Sequence, residues 1–128
     1  MKYIIMILIV LGLAIVDFIT GIIKAYIKED LSSSAMRRGG VGKLAELIIM
    51  VTACGLELGI GMLGQYCDSP ELASVAGIVA SGVVFFYIIC MELISILENY
   101  GDISPDAAWV RTLTKKLRSF GKDKEDEK

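Results

Sequence analysis

The sequence predicts an all-α membrane protein, with three transmembrane helices followed by a C-terminal interfacial amphipathic helix. Three observations carry this prediction. Apolar residues collect into three long blocks, Tyr3 to Ile23, Leu44 to Leu63 and Leu72 to Leu97. Each block approaches or exceeds the roughly 20 residues a helix needs to cross about 30 Å of hydrocarbon. The cations are segregated, and two Ser-Pro-acid openings mark helix starts. A soluble domain of this size would instead spread its apolar residues with amphipathic spacing. The organisation expected is a transmembrane unit over 1–103, with helices at about 3–28, 41–64 and 70–99. A cytoplasmic amphipathic helix follows over 104–120, then a disordered charged tail over 121–128, where charges alternate.

Of the 13 Lys and Arg, Lys2 alone precedes the first block, and Lys24, Lys28, Arg37, Arg38 and Lys43 lie between the first and second. Gln65 to Glu71 carries none, and the other seven follow the third block. Three crossings put the first loop and the C-terminal tail on one side. The positive-inside rule makes that side cytoplasmic, so the chain is expected N-out and C-in. A cleaved secretory signal is the rival for block one. Its single Lys, the lack of a small-x-small cleavage site and the five-cation loop behind it argue against that role.

In block one the run from Ile4 to Val16 is broken by Asp17, followed on one helical face by Thr20, Gly21, Lys24 and Lys28. A carboxylate in a spanning helix is costly, so Asp17 should face protein or water, while Lys24 can reach the interface. Asp17 is either a boundary group held by water or, with Thr20, a group that joins helices or lines a polar path. The next stretch passes Glu29-Asp30, Ser32-Ser33-Ser34 and Gly39-Gly40-Val41-Gly42, a succession of stop, cap and breaker signals. Helix two either starts early, near Ala35, or only after Gly42. Arg37, Arg38 and Lys43 are expected at the anionic inner leaflet, where each basic group contributes about 1 kcal/mol.

Block two carries Glu46 and Glu57 on nearly one face, together with the pair Gly55 and Gly59, whose spacing lets a neighbouring helix approach closely. Gly59 to Gly64 also matches GxGxxG. A dinucleotide site is rejected because no strand precedes the motif and no βαβ unit surrounds it. Block three opens at Ser69-Pro70-Glu71, carries the small-residue ladder Ala73, Gly77 and Ser81, and ends with Glu92, Ser95 and Asn99 on one face and Glu98 beside it. Ser104-Pro105-Asp106 opens the last helix. Trp109, Leu113 and Leu117 form its apolar stripe among basic residues, the pattern of a helix lying on the inner leaflet or packing on a protein partner.

No chemistry-bearing constellation is visible. Histidine is absent, the three cysteines form no CxxC pair, and the acids in the blocks lack a paired nucleophile. Neither an enzyme, nor a metal, nor a cofactor, nor a nucleic-acid partner is expected. Cys54 and Cys90 read as small packing residues, and Cys67 as a free thiol in the outer turn.

The ordered set Asp17-x-x-Thr20-Gly21-x-x-Lys24-Ala25, Leu31-Ser32-Ser33, the glycines before Lys43 and Glu92-Leu93-Ile94-Ser95-Ile96-Leu97-Glu98-Asn99 resembles the toxin secretion and phage lysis holin family. The resemblance spans about Asp17 to Asn99. It implies a small membrane protein that homo-oligomerises in the bilayer and opens lesions through which an endolysin or a large toxin crosses, without required direct contact. Asp17, Thr20, Gly21, Lys24, Glu46, Glu57, Gly55, Gly59, Glu92, Ser95, Glu98 and Asn99 are then candidates for oligomer contacts or pore lining. A non-lytic membrane scaffold and, behind it, a proton or ion pathway are the other readings of the same acids.

Overall fold

A computed structural model describes residues 1–122 of the chain. Three long helices, α1 (Lys2–Ile27), α2 (Ser33–Tyr66) and α3 (Pro70–Ile103), lead through a 3-10 turn (Pro105–Ala107) to α4 (Ala108–Lys122). No strand occurs among the described residues. The first three are each long and apolar enough to cross a membrane. The tail expected over 121–128 is helical at 121–122 and otherwise lies outside the described residues.

Helix two differs from the expected 41–64: it begins at Ser33, the earlier of the two starts. Ser32 is its cap, and its Oγ accepts from the Ala35 backbone N–H at 3.4 Å. Gly39, Gly40 and Gly42 are therefore helical. Each glycine costs up to about 1 kcal/mol relative to alanine. Backbone groups beside or within a bilayer must nevertheless be paired, and helix is the conformation that pairs them within one segment. Packing supports the same choice, because the bare backbone of Gly39 lies against the Phe18 ring of α1, 3.8 Å from where a Cβ would stand. α3 likewise runs past 99 to Ile103.

α1 and α2 each close with a left-handed residue that is not glycine, Glu29 at φ 53° and Asp68 at φ 50°. The next amide then bonds back five residues, Asp30 N–H to Ala25 O at 3.0 Å and Ser69 N–H to Gly64 O at 3.0 Å. This arrangement satisfies the last helical carbonyls. At the second turn α2 and α3 almost touch: a Cβ on Gly64 would stand 2.2 Å from Ala73 Cβ. Further along, one on Gly77 would meet Glu57 O at 3.0 Å. These two glycines, and not Gly55 or Gly59, permit the close approach within the protomer.

The bundle has an apolar outside and a mixed inside. Ile4, Leu8, Ile48, Leu56, Val79 and Phe86 are exposed, whereas Asp17, Glu57, Ser81, Glu92 and Asn99 are buried. A small core of Met6, Val10, Met50, Ala53, Cys54 and Ile88 lies between the polar levels. That distribution suits a hydrocarbon surround, where polar groups are tolerated only against protein or water.

Candidate functional site: two polar layers inside the helix trio

The larger layer is centred on Lys43 of α2. Its Nζ lies 2.7 Å from Asp17 Oδ2 of α1, 2.7 Å from Glu92 Oε2 of α3 and 3.6 Å from Glu46 Oε2 one turn along α2. Asn99 of α3 completes the ring, donating from Nδ2 to Asp17 Oδ1 at 3.0 Å and to Thr20 Oγ1 at 3.1 Å. The Thr20 hydroxyl donates to its own helix at Asp17 O, 3.0 Å away. Antiparallel neighbours bring this about: α1 and α3 run the same way, so Asp17 and Asn99 share a depth, and the start of α2 returns past them.

Two further placements belong to this layer. A Cβ on Gly21 would stand 3.7 Å from Asn99 Nδ2, an ordinary contact distance, so α1 faces the amide closely there without glycine being required. A cavity of about 270 Å³ lies beneath the α1–α2 loop, lined by Asp17, Gly21, Met36, Lys43, Ser95 and Asn99 among others. Ser95 lines this cavity beside the layer.

The second layer is at the opposite end of the bundle. Lys2 at the start of α1 pairs with Glu57 of α2, and the Ser81 hydroxyl of α3 donates to the same carboxylate. Glu46 and Glu57 therefore share a helix face but belong to different layers. Each layer ties all three helices, and the apolar core fills the space between.

At the far end of α3 a third set joins α4 to the bundle. Asp102 receives Lys24 at 2.8 Å, Lys28 at 3.4 Å and Arg111 Nε at 3.6 Å, and Arg111 Nε donates to Gly101 O at 2.8 Å. Gly101 admits that contact, since a Cβ there would stand 3.2 Å from Arg111 Cγ. Glu98 is bound by both Arg118 Nε and Nη2. Ala107, Val110 and Thr114 are buried, whereas Trp109, Leu113 and Leu117 stay exposed.

The sequence candidates are thus divided. Asp17, Thr20, Gly21, Glu46, Glu92, Ser95 and Asn99 come together around one lysine, Lys24 and Glu98 serve the α4 junction, and Glu57 stands in the second layer. A Cβ on Gly55 or Gly59 would meet nothing within 4 Å, so both face away from the protomer. Arg37 and Arg38 are exposed. Lys43, expected at the lipid surface, instead lies between buried carboxylates: charge counting placed it at the inner leaflet, but an early helix start turned it inward. Sequence reasoning missed Lys2, Asp102 and Arg111 as partners and read Ser81 only as a small packing residue. Their signal was faint, a lone charge at a helix end or a hydroxyl on a small-residue ladder.

Among the described residues, no group of three or more side chains is placed to hold a metal. Residues 1–120 match the family model described as the Bacteriophage holin family. No curated protein and no solved structure matches the chain.

Proposed function

Because this chain belongs to the bacteriophage holin family, we propose that it oligomerises in the bacterial cytoplasmic membrane and opens lesions through which an endolysin or a large toxin crosses. The family is not an enzyme family, and the arrangement of charge offers a physical rather than a chemical act. The observation that carries the reading is the burial of Asp17, Glu57 and Glu92 beneath an apolar exterior. While those groups are satisfied within a protomer, the chain can accumulate in lipid without admitting water. If protomers exchange these contacts for contacts around an aqueous opening, the same side chains line it at little electrostatic cost, because water replaces the lost partners.

Orientation follows from charge: N-out and C-in, with the α1–α2 loop and α4 on the cytoplasmic side. Trp109, Leu113 and Leu117 then rest on the inner leaflet with Lys115 and Lys116 beside anionic headgroups. Gly55 and Gly59, open within the protomer, supply a surface on which a second copy can approach.

The test is induction of the protein alone, with membrane potential and entry of a normally excluded dye followed together. Abrupt, non-selective entry is expected. Unchanged growth with a stable complex would replace this reading with a scaffold, and selective proton flux with an ion pathway. Labelling of Cys67 in intact spheroplasts by an impermeant thiol reagent checks the orientation, and protection of Cys67 with labelling of a cysteine placed after Lys28 would reverse it.

A further inference from the structure

The Lys43 layer is two positive charges short, in a way that hydrogen bonding exposes. Three carboxylates, Asp17, Glu46 and Glu92, surround a single ammonium. The Glu92 side chain has no exposure at all. Two oxygens are buried without a hydrogen-bond partner, Glu92 Oε1 and Glu46 Oε2. The two carboxyl groups stand beside each other on the same Nζ, Glu92 Oε2 at 2.7 Å and Glu46 Oε2 at 3.6 Å. A carboxylate has only acceptors, so two of them facing each other cannot satisfy one another. Unsatisfied buried acceptors are rare and costly.

We infer that Glu46 and Glu92 form a proton-binding site, holding one proton between them as a carboxylic acid hydrogen-bonded to a carboxylate. The added hydrogen makes a donor out of one orphan oxygen and gives the other a partner. It also reduces three negative charges around Lys43 to two.

Every charge packed about the pair is accounted for. α1 contributes Asp17, which is already held by Lys43 and Asn99. α2 contributes Lys43 itself. Lys24 and Lys28 of α1 are turned to Asp102, while on α4 Arg111 serves Asp102 and Arg118 serves Glu98. Among the described residues no second cation is placed to neutralise the pair, and no metal-binding group is present. A proton is the cation that fits between two oxygens.

The consequence concerns regulation of the same polar layer, and its functional meaning rests on the lytic reading above. With the proton bound, α2 and α3 are joined by a hydrogen bond; with it lost, two like charges oppose each other across their contact. Acidification therefore favours the packed trio, and alkalinisation loosens it.

The experiment is infrared spectroscopy of the full chain in phosphatidylglycerol–phosphatidylethanolamine vesicles, which reads protonation without reference to lysis. At neutral pH the wild type should show the carbonyl stretch of a protonated carboxylic acid, shifted in heavy water and lost on raising the pH. Glu92→Gln and Glu46→Gln should each remove it, while Glu71→Gln, at the opposite end of α3, should leave it. A fully helical wild type without the band at neutral pH overturns the inference whatever the variants do. So does a band that persists when both glutamates are replaced. Failure of lysis with the band present would sink the lytic reading and leave the proton site standing.

Discussion

Replacing Lys43 by methionine, which keeps the length of the chain and removes the charge, tests whether the central layer holds the protomer together. The substitution leaves Asp17 and Glu92 without the ammonium that lies 2.7 Å from each. Removing one partner of a buried ion pair costs about 3–5 kcal/mol, since the remaining charge is neither solvated nor compensated. Lys43 is one-fifth exposed, so water recovers part of this, and the lower end of the range, about 3 kcal/mol, is expected. That corresponds to more than a hundredfold in the folded-to-unfolded ratio. Reversible unfolding in mixed detergent micelles, followed by circular dichroism, measures it. Combining Lys43→Met with Asp17→Asn, Glu46→Gln and Glu92→Gln should recover most of the loss, since no ion then remains unpaired. By contrast Arg118→Ala, at an exposed pair with Glu98, should cost under about 1 kcal/mol. Wild-type stability in Lys43→Met, to within about 0.5 kcal/mol, the scatter expected of an indifferent surface site, would refute the reasoning.

Three further outcomes are expected. Gly64→Ala should lose about 1–3 kcal/mol by overpacking, because both its Cβ and that of Ala73 are fixed to helix backbones; Gly55→Ala should leave the protomer no less stable, so any loss of its crosslinked oligomers reports a contact between copies. Ser81→Ala should lower stability by about 1–3 kcal/mol through the missing donor to buried Glu57, seen as a lower thermal midpoint. Trp109, the single tryptophan, should be quenched by brominated lipid in vesicles, and ready quenching by aqueous iodide instead would remove α4 from the bilayer surface.

The parts of the fold that could be read from sequence are those set by local physics. Crossing hydrocarbon demands contiguous apolar length, so the three blocks are visible without knowledge of their packing. The Ser69-Pro70 opening is likewise local, and α3 starts at Pro70. The start of α2 is not local: three glycines between 39 and 42 read as a hinge until Phe18 of another helix is laid against two of them, Gly39 and Gly40. Lys43 illustrates the same limit at the site. Its charge announces a preference for water or an anion, but only the antiparallel return of α2 past Asp17 and Glu92 decides between the two. The face shared by Glu92, Ser95 and Asn99 follows from helical spacing alone, whereas the assignment of Glu46 and Glu57 to separate layers depends on depth along neighbouring helices.

Lys2 and Asp17 are synthesised before the groups that satisfy them, and each waits for a partner encoded later. Asp17 needs Lys43 and Asn99, and Lys2 needs Glu57 and Ser81. At about 5–20 residues per second, the 82 positions separating Asp17 from Asn99 take roughly 4–16 s to synthesise. During that interval a newly inserted α1 carries a carboxylate whose one available mate is Lys43, and only the arrival of α3 completes either tie. The nascent chain is therefore least at home in lipid while it is still being made, which makes α1 the segment most in need of the insertion machinery's shelter.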